Sequence, residues 1–152
     1  MSGLINLIER MEGTTVTVAA PLKILVVEDE GVLRRVIARN LVAQGHNVVE
    51  AATASDALQA LAADEIDLLL LDINLPDLTG WEILRLLRGR TQAVPTVVIS
   101  AVRTSPARLE EFRPLAYLPK PFPLESLLRI VESAAERSRS TRSPDYADPL
   151  LP

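Results

Sequence analysis

The fold is decided by the stretch Leu68-Leu69-Leu70-Leu71-Asp72-Ile73-Asn74-Leu75-Pro76-Asp77-Leu78-Thr79-Gly80. Four leucines with no polar residue between them are typical of a strand that is covered on both faces, as in a parallel sheet between helix layers. Asp72 ends that strand, and open parallel α/β sheets bind ligands outside the carboxyl ends of their strands. Taken alone, the stretch fits equally well a carboxylate that caps a turn before Pro76 and Gly80. The rest of the chain has to decide between these interpretations.

Short apolar strands alternate with helical patterns on both sides of this stretch. Strands are predicted at 22–27, 47–51, 68–72, 96–100 and 116–118, and helices at 31–44, 53–63, 81–88 and 124–137. Gly45 is expected to end the first helix, and Thr53 or Ser55 to cap the second. This alternation predicts an α/β fold with parallel strand pairing, right-handed crossovers and helices on both faces of the sheet.

The segment 101–115 departs from the regular pattern. Ser105 and Pro106 are able to open a helix, because proline is tolerated in a first turn, but Pro114 stops it early. We therefore expect the fourth helix to be short or irregular.

The composition limits the classes of function that need to be considered. The 152 residues have room for one domain that needs neither a disulfide nor a structural metal. No cysteine is present, which excludes thiolate catalysis and metal sites built on Cys and fits a reducing compartment. The longest apolar runs are too short to span a bilayer, a secretory signal is not apparent, and a net charge of −4 gives no general footprint for nucleic acid. We expect a cytoplasmic protein without membrane contact.

The chain divides into three predicted segments. Residues 1–21, with a short amphipathic pattern at Leu4 to Met11, are expected to be an N-terminal extension outside the fold. Residues 22–137 form the domain, and residues 138–152, rich in Ser, Arg, Pro and Asp, are expected to be a disordered C-terminal tail. No second domain, DNA-binding or enzymatic, is expected.

Polar and charged side chains follow four of the predicted strands. Glu28 and Asp29 come after the first, Asp72 ends the third, Ser100 ends the fourth, and Lys120 follows the fifth. The carboxyl ends of parallel strands meet at one edge of the sheet. Crowded carboxylates repel one another unless a cation lies among them, and Mg²⁺ needs only a few protein oxygens together with water. The pattern predicts a magnesium site at this edge.

Lys120 is an unusual choice in this chain, because only it and Lys23 are lysines among the 16 basic residues. A compact ammonium can approach a phosphoryl oxygen, whereas a planar guanidinium presents its charge differently. A metal and a lysine beside a carboxylate are what phosphoryl transfer to that carboxylate requires. Ser100 could donate a hydrogen bond to a phosphoryl oxygen at the same edge.

Taken together and in order, these residues resemble the receiver domain of response regulators in bacterial two-component signalling. The resemblance covers about 22–137 and depends on four motifs: Ile24-Leu25-Val26-Val27-Glu28-Asp29-Glu30, the stretch 72–80, Val97-Val98-Ile99-Ser100-Ala101 and Tyr117-Leu118-Pro119-Lys120-Pro121-Phe122. It implies a flavodoxin-like, doubly wound, five-stranded parallel sheet of order 2-1-3-4-5.

The resemblance also implies roles for individual residues. Asp72 would accept phosphate from the phosphohistidine of a sensor histidine kinase or phosphotransfer protein, and Lys120 would contact the phosphoryl group. Ser100 and Tyr117 would move together when the group is added. The implied oxygen ligands of Mg²⁺ lie at the same edge: Glu28 through water, Asp29, Asp72 and the backbone carbonyl of Asn74.

Two departures from the family pattern affect these expectations. The first acidic position is Glu28 in place of a second aspartate, which should still act through water. Before the last strand, Phe112-Arg113-Pro114-Leu115 replaces the glycine-containing turn of many receivers. Because the fourth helix usually belongs to the output and dimer surface, the geometry of that surface does not transfer to this chain.

The leading functional interpretation is a stand-alone receiver that signals through a phosphorylation-controlled protein interaction or a phosphorelay. It would catalyse only its own phosphorylation and dephosphorylation; its downstream protein is unknown, and a homodimer is compatible with the resemblance. One alternative is a phosphorylation-independent adaptor with the receiver fold. Another is a Mg²⁺-dependent phosphohydrolase of the aspartyl-phosphate type, which usually has an acid two residues after the nucleophile, where this chain has Asn74.

Three remaining features are given structural interpretations. Trp81 starts a helix and is expected to pack or to face a partner. His46 follows Gly45 in a turn and is expected to be an exposed loop residue. The basic segment 137–142 is expected to be a solvated part of the tail.

Overall fold

The fold is described from a computed structural model, which covers residues 20–90 and 93–142. Strands and helices alternate throughout this part of the chain: β1 (Lys23–Val27), α1 (Gly31–Ala43), β2 (Asn47–Ala51), α2 (Ala54–Ala63), β3 (Leu68–Asp72), α3 (Gly80–Leu87), β4 (Thr96–Ser100), α4 (Pro106–Phe112), β5 (Ala116–Pro119) and α5 (Leu124–Arg142). None of the helices described is both long and apolar enough to cross a membrane.

The five strands form one parallel sheet in the order β2-β1-β3-β4-β5. This confirms the doubly wound, flavodoxin-like fold that the resemblance to receiver domains implied. In the observed register Val27 lies opposite Leu71, and Ser100 lies opposite Pro119. The segments that follow β1, β3, β4 and β5 therefore emerge at one edge of the sheet, as parallel pairing requires.

The leucines of β3 divide their side chains between the two faces of the sheet. Leu68 and Leu70 join a core that also contains residues of α1 and α5, whereas Leu69 and Leu71 join a core that contains residues of α2 and α3. All four are fully buried. Since full burial of one leucine stabilises a fold by about 1.5–3 kcal/mol, β3 anchors both helix layers at once.

The structure confirms the predicted end of α1 and the predicted start of α2. Gly45 has a φ of 95°, a left-handed conformation that glycine adopts at little cost, and it lies just beyond the end of α1. Thr53 is the N-cap of α2, where its side-chain oxygen accepts a hydrogen bond of 3.1 Å from the Asp56 N–H.

Helix α5 extends beyond its predicted end at Arg137 and reaches Arg142. The expectation of a disordered tail was therefore wrong for residues 138–142. Within this extension the Ser140 hydroxyl donates to the carbonyl oxygen of Glu136 at 3.2 Å, and no glycine or proline interrupts the helix before Pro144. The remaining predicted tail, 143–152, and nearly all of the predicted extension, 1–19, lie outside the described residues.

Helix α4 is short, as expected, and it has no buried residue. It contacts α3 through Phe112, whose ring stacks on that of Trp81 with centroids 5.3 Å apart. The guanidinium carbon of Arg88 lies 4.6 Å from the Phe112 ring centroid, and an Arg88 nitrogen donates to the Glu111 carbonyl oxygen at 2.9 Å. Arg113 ends the helix in a left-handed conformation, with a φ of 45°.

His46 was expected to be exposed, and this expectation was wrong. Only 8% of its surface is exposed, and its Nδ1 accepts a hydrogen bond of 3.0 Å from the Leu22 N–H just before β1. Nδ1 can accept only if it carries no proton, so the folded state favours the neutral ring. Burial also lowers the pKa of His46 below its usual value of 6.5.

Gly80 begins α3 in close contact with the end of β3. A Cβ at this position would lie 2.8 Å from Ile73 Cδ1 and 2.9 Å from the carbonyl oxygen of Asp72. We expect Gly80→Ala to lower the free energy of unfolding by about 1–3 kcal/mol, as overpacking does, in urea denaturation. Gly89→Ala is the control, because its nearest neighbouring atom is 3.9 Å away. Wild-type stability of Gly80→Ala would contradict this account.

A second prediction concerns the pH dependence of stability. Folding lowers the pKa of His46, so the folded state favours its neutral ring. The stability that this ring contributes is therefore fully present above the unfolded pKa of 6.5 and is lost as pH falls below that value. His46→Asn should keep an acceptor without titrating. Between pH 7.5 and 5.5 we expect wild-type stability to fall more steeply than that of this variant, by at most about 1.4 kcal/mol per pH unit. Parallel profiles in urea denaturation would contradict the prediction.

Candidate functional site

Asp72 ends β3 and is buried, with only 3% of its surface exposed. Its Oδ1 accepts a hydrogen bond of 3.0 Å from the Asn74 N–H, and its Oδ2 lies 3.1 Å from Lys120 Nζ. Both oxygens of this carboxylate thus have a partner at the sheet edge. The arrangement fits a positioned reacting group better than a carboxylate that only caps a turn.

Two further carboxylates lie beside Asp72, in the segment that follows β1. Glu28 is buried, Asp29 is exposed, and one carboxylate oxygen from each of these residues and from Asp72 lies within 4.8 Å of the others. The structure therefore brings together the three acidic residues that the sequence selected. Since all of these groups are negatively charged when ionised, the cluster favours a cation.

Lys120 follows β5 and reaches across the end of β4 to this cluster. Its ammonium forms ion pairs with Glu28 and with Asp72. Its backbone N–H donates to the carbonyl oxygen of Ser100 at 2.8 Å, and the Lys120–Pro121 peptide bond is cis. The backbone at Lys120 is thus held by the end of β4, while the ion pairs hold its ammonium.

One ammonium faces two buried carboxylates in this arrangement. Burial, reinforced by the nearby Asp72 carboxylate, raises the pKa of Glu28 to about 8, although the ion pair with Lys120 acts in the opposite direction. Burial lowers the pKa of Lys120, but its hydrogen bonds to Glu28 and Asp72 outweigh this effect and the net direction is upward. The site therefore keeps its lysine charged and lacks positive charge for the second carboxylate.

The residues present fit a divalent metal ion. Oε2 of Glu28 is buried and has no hydrogen-bond partner among the described residues. An unpaired buried acceptor, beside two more carboxylates, provides the all-oxygen donor set that Mg²⁺ prefers. Asn74 lies next to the cluster through its N–H bond to Asp72, whereas the role of its carbonyl as a ligand stays a prediction.

Ser100 and Tyr117 meet at one backbone group that the sequence did not indicate. The Ser100 hydroxyl donates to the Val102 carbonyl oxygen at 2.8 Å and accepts from the Val102 N–H at 3.1 Å. The Tyr117 hydroxyl donates to the same carbonyl oxygen at 3.3 Å. The two residues predicted to move together are thus already connected through Val102.

Arg34 on α1 is a site residue that sequence reasoning missed. Its Nη1 donates to the carbonyl oxygen of Glu28 at 2.8 Å, and its Nε donates to Glu50 at 3.2 Å. It thereby fixes the backbone between Glu28 and Asp29, within the acidic cluster. Nothing in the helical spacing distinguishes Arg34 from Arg35 and Arg39, so the sequence alone contained no signal for this role.

Comparisons with known proteins agree with this geometry. Residues 24–132 match the family model of the response regulator receiver domain. The chain is 36% identical over 119 residues to the response regulator MprA of Mycobacterium tuberculosis. The aligned region covers 77% of this chain and 52% of MprA. The chain spans about half or less of the length of the curated relatives that it matches.

Solved structures of receivers have the same fold. The chemotaxis response regulator CheY4 of Vibrio cholerae aligns with a TM-score of 0.69 and 27% identity, covering 76% of this chain and 99% of that one. The response regulator TrrA of Thermotoga maritima, solved in complex with Mg²⁺–BeF, aligns with a TM-score of 0.66 and 25% identity over 74% of this chain and 98% of that one. With the family model matched over most of the domain, this chain belongs to the response-regulator receiver family.

Proposed function

We propose that this receiver accepts a phosphoryl group on Asp72 from a phosphohistidine donor. The observation that best supports this proposal is the environment of Asp72: a buried carboxylate next to Lys120, within a cluster that contains an unpaired carboxylate oxygen. A site built only for stability would not combine these features, because uncompensated buried carboxylates cost free energy.

In the proposed transfer, an Asp72 carboxylate oxygen forms a bond to phosphorus while the P–N bond of the donor phosphohistidine breaks. The electron pair leaves with the imidazole. Lys120 is already close to Asp72 and can neutralise charge on the phosphoryl oxygens as they arrive. The chain would catalyse only its own phosphorylation and dephosphorylation.

Glu28, Asp29, Asp72 and the Asn74 carbonyl are the residues that would hold Mg²⁺. The ion, when bound, supplies positive charge to the transferring phosphoryl oxygens and helps to align them. The related TrrA was solved in complex with Mg²⁺–BeF, which supports the proposal that this receiver also binds the ion. Glu28 and Asp29 would position the ion, and its charge would favour the ionised form of Glu28.

The switch would begin at Ser100. To donate a hydrogen bond to a phosphoryl oxygen, its hydroxyl has to leave the Val102 carbonyl, and Tyr117 bonds to that same carbonyl. The loop of residues 101–105 would then rearrange together with the Tyr117 ring. Phosphorylation at Asp72 would thus alter the surface formed by α4 and β5.

This altered surface would transmit the signal by protein binding or by a phosphorelay. The donor would be a sensor histidine kinase or a phosphotransfer protein, and the recipient of the signal would be a downstream protein. A stand-alone mode of action and a cytoplasmic location stay predictions.

Phosphorylation can be tested directly with acetyl phosphate and Mg²⁺. Intact mass measurement should show one added phosphoryl group that is stable in acid and labile in alkali. Asp72→Asn should show none, because an amide is a far weaker nucleophile than a carboxylate. Asp56→Asn, which changes an exposed aspartate on α2, is the matched control. Failure of the wild-type chain to take up phosphate from acetyl phosphate or a cognate kinase would overturn the proposal, and binding of a partner unaffected by Asp72→Asn would favour the adaptor.

The switch can be tested with beryllofluoride as a phosphoryl mimic. In the wild-type chain, Mg²⁺ and beryllofluoride should shift NMR resonances at both Val102 and Tyr117. Ser100→Ala should still bind the mimic at Asp72 but should lose most of the shift at Tyr117. The reason is that the Val102 carbonyl oxygen, which Ser100 and Tyr117 share as an acceptor, would no longer respond to the mimic. Ser133→Ala, on the exposed side of α5, should behave as wild type. A full Tyr117 shift in Ser100→Ala would show that the two residues respond independently.

A further inference from the structure

The loop between β3 and α3 is tightly closed at its base. The Gly80 N–H donates to the Ile73 carbonyl oxygen at 2.8 Å, and Asn74 pairs with Thr79 in an antiparallel bridge. The Asn74 N–H donates to Asp72 Oδ1. These bonds lie close to the site, but none of them fixes the tip of the loop.

The tip is fixed by Asp77, which bonds to a different helix. Its Oδ1 accepts from the Ala54 N–H at 2.8 Å, and its Oδ2 accepts from the Ser55 N–H at 2.9 Å. These N–H groups belong to the first turn of α2, where backbone donors lack partners within the helix. Both hydrogen bonds lower the pKa of Asp77, so the carboxylate is the form that caps α2.

Helix α2 already has a cap of its own. Thr53 accepts from the Asp56 N–H, so Asp77 satisfies the two donors that Thr53 leaves. Asp77 thereby connects the segment after β2 to the segment after β3. These strands flank β1, whose end carries Glu28 and Asp29.

We propose that Asp77 is a positioning residue for the metal site: its cap on α2 fixes the loop that presents the Asn74 carbonyl. This inference rests on the proposed function, because it requires Asn74 to be a ligand. A helix cap that serves stability alone would have the same appearance, so the test has to separate the two roles.

Thr53→Ala provides the matched control. It removes a cap from the same turn of α2 but leaves the loop after β3 untouched. Asp77→Ala removes the two hydrogen bonds that join the loop after β3 to the first turn of α2. Asp77→Asn removes the charge but keeps an acceptor oxygen, and Asp56→Asn removes a charge from the same first turn. This set separates hydrogen bonding from both charge and helix stability.

The full chain of each variant would be titrated with MgCl₂ alone, with binding followed by NMR. Asp77→Ala should raise the Mg²⁺ dissociation constant about tenfold, as loss of a group that orients a ligand does. Thr53→Ala and Asp56→Asn should stay within about twofold of wild type, and Asp77→Asn should lie between them and Asp77→Ala. Amide hydrogen exchange at Gly80 should accelerate in Asp77→Ala and not in Thr53→Ala.

Equal Mg²⁺ affinity in Asp77→Ala and Thr53→Ala would overturn the proposal and leave Asp77 as a helix cap. If Asp77→Ala does not fold, wild-type affinity in a folded Asp77→Asn together with unchanged Gly80 exchange would overturn it instead. A folded wild-type chain that binds no Mg²⁺ would overturn the proposed metal site itself. Failure of the metal site and failure of the Asp77 proposal are distinguishable, because the wild-type chain still binds Mg²⁺ when only the Asp77 proposal fails.

Discussion

Two buried carboxylates, Glu28 and Asp72, share the single ammonium of Lys120, and much of the structure serves to bring these charges together. The three side chains lie at the carboxyl ends of β1, β3 and β5, so they meet only when the sheet has its observed order and parallel pairing. The free-energy cost of burying them is balanced by the two apolar cores on either side of the leucine strand. The site is therefore a local region of high electrostatic free energy within a well-packed frame.

Such a site requires that the backbone around it be fixed from outside. Arg34 binds the carbonyl of Glu28, the Lys120 N–H binds the carbonyl of Ser100, and Asp77 binds the first turn of α2. Each bond connects a loop of the site to a neighbouring regular element. Precise placement of charged groups depends on such supporting contacts, since loops alone would not keep them within the required distances.

The sequence predicted the sheet, its cores and the acidic cluster, because these depend on patterns that are local in the chain. Four leucines before Asp72 identify a buried strand, and polar residues at strand ends identify the edge that they share. His46 was misjudged because its acceptor role depends on Leu22, a residue distant in sequence. Asp77 received no role from the sequence for the same reason, and the stacking of Trp81 on Phe112 likewise required the folded arrangement. The end of α5 was misplaced because amino-acid composition indicates whether a segment is exposed to solvent but does not indicate where a helix ends.

Helix α4 buries no side chain, and one aromatic stack with its surrounding arginines joins it to α3. Substitutions on exposed positions of such an element change stability by only about 0.5 kcal/mol, so they leave folding nearly unaffected. If the proposed function holds, the phosphoryl site and the α4 surface would tolerate substitution differently, because buried charge restricts the first and little burial restricts the second. Under the proposed function, substitutions on α4 would then be able to change which protein the receiver binds without disturbing the chemistry proposed at Asp72.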